Sequence, residues 1–242
     1  MKILFITGSR GEWGYIRPLI KLCIEESIDY KICATNMMLL SSFGSLIDEL
    51  KQDGYNVSDE ILMSLDGYDH FSMTKSLGIF LTSFVDVIKR VKPSWLVLAG
   101  DRGEQLMASI AGSYTYTPVA HIQAGERSGN IDGLARHAIG KFSHIHFAAN
   151  FDAKKRLISL GEERFRIFNV GAPQLDEIKN NEISSKKEVE KKYGIKLNEK
   201  YLLIALHPVT EEYKNLNNQV ESLMSSLSTF DYKFIWIFIA KN

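Results

Sequence analysis

Apolar and polar positions along this chain follow two rhythms. Unbroken apolar runs at Lys2–Thr7, Tyr30–Thr35, Trp95–Ala99, Pro118–Ile122, Ile145–Ala149 and Arg166–Val170 read as short strands buried on both faces. Between them, apolar residues recur at three- and four-residue spacing over Tyr15–Ile24, Leu46–Gln52, Ser76–Val91, Gln105–Ala111, about Gly133–Phe142 and Asp152–Leu160, which predicts helices. Pro93 closes the longest of these, and Gly54 stops the second. Strand and helix alternate throughout, the signature of a parallel sheet covered on both faces. Residues 1–172 are therefore expected to form one α/β, doubly wound parallel-sheet domain of Rossmann type. Gln174–Leu197 is polar and lysine-rich and predicts a helical linker over 173–198. Tyr201–Leu206, Glu211–Leu227 and Phe234–Ile239 then give one strand–helix–strand unit. A single such unit cannot bury both faces of a sheet, so 199–242 reads as the incomplete start of a second Rossmann-like domain.

Composition narrows the class. The chain has 242 residues, 45% hydrophobic and 24% charged, which suits a soluble globular protein with a sizeable core. Its 29 basic and 29 acidic residues cancel, so no global field draws it to nucleic acid or anionic lipid, and an anion site must be local. Lys186, Lys187, Lys191 and Lys192 are interleaved with Glu188 and Glu190 and read as a solvated helix face. Cys23 and Cys33 lie in apolar patterns and read as reduced core residues. No apolar run has the length expected of a signal peptide or a membrane span, and the protein is expected in the cytoplasm. His144 and His146 point the same way along a strand but lack a third ligand, so no metal is expected.

In open parallel sheets, ligands bind outside the carboxyl ends of the strands. Three polar turns and His207 fall there. Gly8-Ser9-Arg10-Gly11 can present backbone N–H groups and Arg10 to a phosphate, and equally makes a tight turn with a surface arginine. Its spacing does not suit a nicotinamide cofactor. Gly100-Asp101-Arg102-Gly103-Glu104 follows a wholly apolar strand. Asp101 there is either a cap on the next helix or a general acid–base group. His121 through Asp132 concentrates Gln123, Glu126, Arg127, Ser128 and Asp132 around two glycines, with Arg136 in the helix that follows. Asp132 and Arg136, four apart, share a helix face, and Asp132 also suits an N-cap. Together with the other turns, this segment reads as a site.

These residues resemble a known family. Gly100-Asp101-Arg102-x-Glu104, His121-Ile122-Gln123-x-Gly125-Glu126, Arg136-His137-Ala138-Ile139, Ser143-His144-x-His146-Phe147, Leu160-Gly161-Glu162 and Phe168-Asn169-Val170-Gly171 are similar to the motif series of hydrolysing UDP-N-acetylglucosamine 2-epimerases. His207-Pro208-Val209-Thr210 resembles that family's entry to its second domain. The resemblance implies two Rossmann-like domains in the glycosyltransferase-B-like arrangement, with the active site in the cleft between them and no cofactor. It implies removal of the C2 proton of a UDP-N-acetylhexosamine, loss of UDP to give a 2-acetamidoglucal, and addition of water to release the free 2-epimer for sialic-acid or related biosynthesis. A sister branch re-adds UDP instead. By position, Asp101 and Asp132 match proton-transfer carboxylates, with Glu126 sharing the task. Arg10 and Arg136 match phosphate-contacting positions, and His207 matches a histidine contributed by the second domain. Gln123 stands where several members carry glutamate, and it cannot carry a proton. The expected partners are the nucleotide sugar and further copies of the chain. Asn36-Met37-Met38-Leu39 departs from the family's Gly-Met-His-Leu, and the tail after Ile237 does not resemble the family's continuation, an expectation of truncation.

Overall fold

The computed structural model describes residues 1–66, 69–198, 200–207, 212 and 215–237. The motif residues Pro208-Val209-Thr210 and the tail beyond Ile237 lie outside the described residues. The chain divides into two compact units, Met1–Asn181 and Glu182–Asn242.

In the first unit, β1 (Lys2–Thr7), α1 (Arg10–Glu25), β2 (Asp29–Thr35), α2 (Leu46–Gln52) and β3 (Val57–Ile61) are followed by α3 (His70–Val91), β4 (Trp95–Ala99) and α4 (Gly103–Tyr114). Then come β5 (Val119–Ile122), α5 (Ile131–Phe142), β6 (Ile145–Ala148), α6 (Phe151–Ser159), β7 (Ile167–Asn169) and α7 (Leu175–Lys179). The seven strands form one sheet in the order β3-β2-β1-β4-β5-β6-β7. Every neighbouring pair is parallel, from Ile3 opposite Trp95 in the centre to Phe147 opposite Phe168 near the edge. The chain winds outward from β1 to β3 and then crosses to β4. The order therefore reverses between β1 and β4, and a crevice opens beyond their carboxyl ends.

Side-chain alternation along the strands divides the core in two. Leu4, Ile6, Leu96 and Leu98 face Phe80, Phe84, Val87 and Ile88 of α3, with Ala108 and Ala111 of α4. Phe5, Val97, Ala99, Ala120 and Ile122 face Trp13, Ile16 and Ile20 of α1 and Leu46, Ile47 and Leu50 of α2. A smaller cluster of Ala124, Ala148, Ala153, Leu157 and Ile167 seats α6. Cys23 and Cys33 are free thiols buried in these clusters.

Several elements differ from the sequence expectation. Strand β3 gives no apolar run because only Val57, Asp59 and Ile61 turn inward and it lies at the sheet edge. Its buried Asp59 is paired by Arg90 of α3. Helix α3 starts at His70 rather than Ser76, because Asp69 and Ser72 form a reciprocal cap that supports an extra polar turn. At 22 residues, α3 also meets the length and apolarity of a membrane span, contrary to the expectation that no run would. Its Phe80–Ile88 stripe covers the sheet. The polar stretch read as one helical linker is two helices. Of these, α7 belongs to the first unit, where Glu177 receives Arg17 Nε at 2.6 Å and Lys21 Nζ at 3.2 Å from α1.

The second unit contains α8 (Lys186–Tyr193), β8 (Tyr201–Ala205), α9 (Leu216–Leu227) and β9 (Lys233–Ile237). Ser185 and Glu188 form a capping box on α8, and Gly194 ends it in the left-handed conformation. Strands β8 and β9 pair in parallel, Tyr201 opposite Lys233 through Ala205 opposite Ile237. Much of their apolar surface is exposed, including Leu203, Phe234 and Ile237.

Candidate functional site

The polar turns picked out in the sequence converge at the carboxyl ends of β1, β4 and β5. Strand β4 ends in Gly100, whose φ of +84° turns the chain sharply and leaves Asp101 at the rim. His121, fully buried on β5, donates from Nε2 to the Gly100 carbonyl at 2.7 Å and fixes that turn. Burial pushes the His121 imidazole down to about 3, so the ring stays neutral and keeps the donor in place.

Arg136 organises the site. Its side chain is 8% exposed and reaches back from α5 to three oxygens. Nη2 donates to Asp101 Oδ2, Nη1 donates to the Gln123 carbonyl at 2.5 Å, and Nη1 lies 3.7 Å from Glu126 Oε2. Ser128 Oγ donates to the same Asp101 oxygen at 2.7 Å. Asp101 thus faces two donors across the turn and does not cap α4, whose N-cap Arg102 makes no side-chain capping bond. The capping role at Asp101 is excluded for that reason.

Asp132 is not a cap either. Asn130 caps α5, accepting the Asp132 N–H at 3.2 Å, and its Nδ2 donates to Asp132 Oδ2 at 3.1 Å. Nor do Asp132 and Arg136 pair along the helix, because the arginine turns inward to Asp101. Asp132 is half-buried. Burial, and then the Asp101 charge, push its carboxyl above the ordinary range.

Gln123 adopts a φ of +60° and is buried. Its Nε2 donates to Gln174 Oε1 at 3.2 Å, just before α7. Arg156 of α6 steadies the loop by donating to the Gly125 carbonyl at 2.6 Å. Gly125 is required here. Its φ is +78°, and a Cβ would lie 2.5 Å from the Ala153 carbonyl oxygen.

The structure thus gathers Asp101, Gln123, Glu126 and Arg136 around one guanidinium, with Asp132 close by. Arg10 is exposed at the first position of α1 and makes no hydrogen bond or ion pair among the described residues, so its charge is free to meet an anion. His207 is exposed just after β8 in the second unit. Sequence reasoning missed Tyr15, Asn36 and Gln174, and gave no individual role to Glu12, Arg102 and Glu104. Tyr15 is half-buried, and burial, followed by the charge of Glu126, raises its phenol. It was hidden in the apolar spacing of α1, and only its place one turn beyond the Arg10 turn could have marked it. Arg102 donates from Nε to Glu104 Oε1 at 3.1 Å, and Glu104 holds its guanidinium above the usual range.

A family model described as UDP-N-acetylglucosamine 2-epimerase matches residues 21–242. The chain is 39% identical over 226 residues to the UDP-N,N'-diacetylbacillosamine 2-epimerase (hydrolyzing) of Legionella pneumophila, which covers 93% of this chain and 60% of that protein. It is 33% identical over 230 residues to the GDP/UDP-N,N'-diacetylbacillosamine 2-epimerase (hydrolyzing) of Campylobacter jejuni, with 94% and 60% covered. Among solved structures it is similar to the UDP-GlcNAc 2-epimerase of Methanocaldococcus jannaschii in complex with UDP-GlcNAc and UDP. The TM-score is 0.81 at 25% identity, covering 98% of this chain and 65% of that one. The chain spans about 60% of the length of these curated relatives. With its parallel sheet, its strand-end carboxylates and a match over most of its length, the chain belongs to the UDP-N-acetylglucosamine 2-epimerase family.

Proposed function

We propose that the whole protein is a hydrolysing UDP-N-acetylhexosamine 2-epimerase. In this reading Met1–Asn181 carries the proton-transfer groups, and Glu182–Asn242 opens a UDP-binding domain that presents His207. The observation that carries it is the Asp101 carboxylate, fixed at the end of β4 by Arg136 and Ser128, with the raised carboxyl of Asp132 beside it. Two carboxyl groups in different environments suit a reaction that removes a proton from one carbon and later returns one. The C2–H bond breaks to a carboxylate, the C1–O bond breaks with its electrons leaving on UDP, and C1=C2 forms. Water then supplies hydroxyl at C1 and a proton enters C2 from the other face, so UDP-sugar plus water gives UDP plus the free 2-epimer.

Asp101, Asp132 and Glu126 take the proton-transfer roles, and Gln123 is left to hydrogen bonding because an amide neither gains nor loses charge at neutral pH and so serves as no general acid or base. Arg10, exposed and with no ion pair among the described residues, is the cation for the diphosphate. Arg136 is enclosed and committed to Asp101, Gln123 and Glu126, so it holds the carboxylates rather than the phosphates. The similarity to hydrolysing diacetylbacillosamine epimerases favours a UDP-2,4-diacetamido-trideoxyhexose as substrate, with UDP-N-acetylglucosamine second. The free sugar would enter nonulosonic-acid synthesis in the cytoplasm, and the enzyme would act as a homo-oligomer.

The test is turnover of both nucleotide sugars in deuterated water by the protein of full family length. UDP release with deuterium at C2 of the free sugar is expected. Asp101→Asn should lower turnover by ~10²–10⁴-fold with the fold intact. Product without label at C2, or Asp101→Asn within a few-fold of wild type, would remove the mechanism.

A further inference from the structure

Gly8 at the end of β1 is gripped by two buried carboxyl groups. Glu12, 2% exposed, accepts the Gly8 N–H on Oε2, while its Oε1 is enclosed without a hydrogen-bond partner among the described residues. Glu104, also 2% exposed, lies over the other side of Gly8, where a Cβ would meet its Oε1 at 2.1 Å. Glu104 Oε1 in turn accepts from Asn36 Nδ2 at 3.1 Å and Arg102 Nε at 3.1 Å.

The groups facing this pair are few. Helix α4 contributes Glu104 itself and the amide of Gln105. The β4–α4 turn contributes Arg102, the one cation facing the pair among the described residues; on α1 Tyr15 lies near Glu12, and from α5 the Asp132 carboxyl faces Glu104 and Arg102. Two full negative charges, both enclosed, would therefore share one partly exposed guanidinium. An uncompensated buried charge is costly, and adjacent carboxyls escape that cost by keeping a proton. The unpartnered Glu12 Oε1 is the atom that can take the proton without giving up a bond.

We propose that Glu12 and Glu104 hold a single proton between them on Glu12, and that this proton makes Glu12 a positioning residue for the substrate-facing turns. The pair ties together the β1–α1 turn bearing Arg10, the β4–α4 turn bearing Asp101 and Arg102, and Asn36 at the end of β2. With the proton present, Glu104 is matched by Arg102 and the three turns are held in one arrangement. When the proton leaves to solvent at alkaline pH, two carboxylates repel across Gly8 and the turns loosen. Burial, and next Glu104, push the Glu12 carboxyl up to about 8, which places this change within reach of ordinary buffers.

Infrared spectroscopy of the 242-residue chain reads this directly and needs neither nucleotide nor turnover. Its outcome is therefore separable from that of the proposed function. The wild type at pH 6.5 should show the carbonyl band of a buried protonated carboxyl, and the band should fade as pH rises past about 8. Glu12→Gln should lack the band between pH 6.5 and 8.5, where ordinary carboxyls are ionised. Thermal midpoints give a second readout. The folded state here binds the extra proton, so stability is full at low pH and falls as pH rises through about 8. Between pH 6.5 and 8.5 the wild-type midpoint should drop and that of Glu12→Gln should stay level. Absence of the band in wild type at pH 6.5, or its survival in Glu12→Gln, would overturn the proposal, as would parallel thermal profiles. The wild-type titration stands even if the variant fails to fold.

Discussion

Replacing Arg136 by methionine tests whether one guanidinium organises the site. The side chain is 8% exposed and the Asp101 side chain that faces it is 19% exposed. Methionine roughly preserves the volume of the stem, so little cavity is expected. What is lost is the only cation bonded to Asp101 among the described residues and the donor to the Gln123 carbonyl. Removing one member of a fully buried ion pair costs ~3–5 kcal/mol, chiefly because the other charge is stranded. Asp101 retains Ser128 and some access to water, which brings the expectation down to about 2–4 kcal/mol. For a chain of this size, 1 kcal/mol moves the midpoint by roughly 2–4 °C, so a fall of about 4–16 °C is expected. Circular dichroism melts of wild type, Arg136→Met, Asp101→Asn and the double variant supply the measurement. If the stranded carboxylate is the cause, the double variant should be clearly more stable than the sum of the single losses implies. A midpoint for Arg136→Met within ~2 °C of wild type, or strict additivity, would refute the organising role.

Two further outcomes follow from the same geometry. Gly125→Ala should cost more than ~2 kcal/mol, because the left-handed backbone at φ +78° and the 2.5 Å approach to the Ala153 carbonyl both oppose a Cβ; urea unfolding checks this. On the acid side, burial lowers His121 to about 3 and also lowers His146, so these rings contribute stability above pH 6.5 that is lost as pH falls towards 3. A His121→Gln variant should lose stability less steeply over that window, as read by midpoints at pH 4, 5 and 6.5.

The sheet was legible because its strands are apolar on both faces. Lys2–Thr7 and Trp95–Ala99 have no other reading, and their alternate residues do enter the two halves of the core. Strand β3 was not legible, because an edge strand with one inward face gives Val-Ser-Asp-Glu-Ile, which carries no run. Helix starts were late wherever a polar first turn rests on a side-chain cap, as at Asp69. At the site, the clustering of acids and arginines in strand-end turns identified Asp101, Gln123, Glu126, Asp132 and Arg136 as a group. Sequence spacing misassigned the partners. The four-residue spacing of Asp132 and Arg136 suggested a pair along one helix, but a tertiary acceptor 35 positions upstream took the guanidinium. The Glu12–Glu104 pair depends on side chains meeting across Gly8 from separate helices, information that no local pattern holds.

The central place of β1 has a consequence for how the chain is made. Its two neighbours are β2, which leaves the ribosome soon after it, and β4, whose Trp95 pairs with Ile3 from about 90 residues downstream. At ~5–20 residues per second, one edge of this interior strand waits roughly 5–18 seconds for its partner. During that interval Ile3, Leu4 and Phe5 lie in a half-built sheet with open backbone groups, the kind of surface that pairs with other chains or is shielded by chaperones. Such distant pairing also slows refolding. The yield of folded protein should therefore depend on how quickly residues 36–99 follow the first β1–α1–β2 crossover unit out of the exit tunnel.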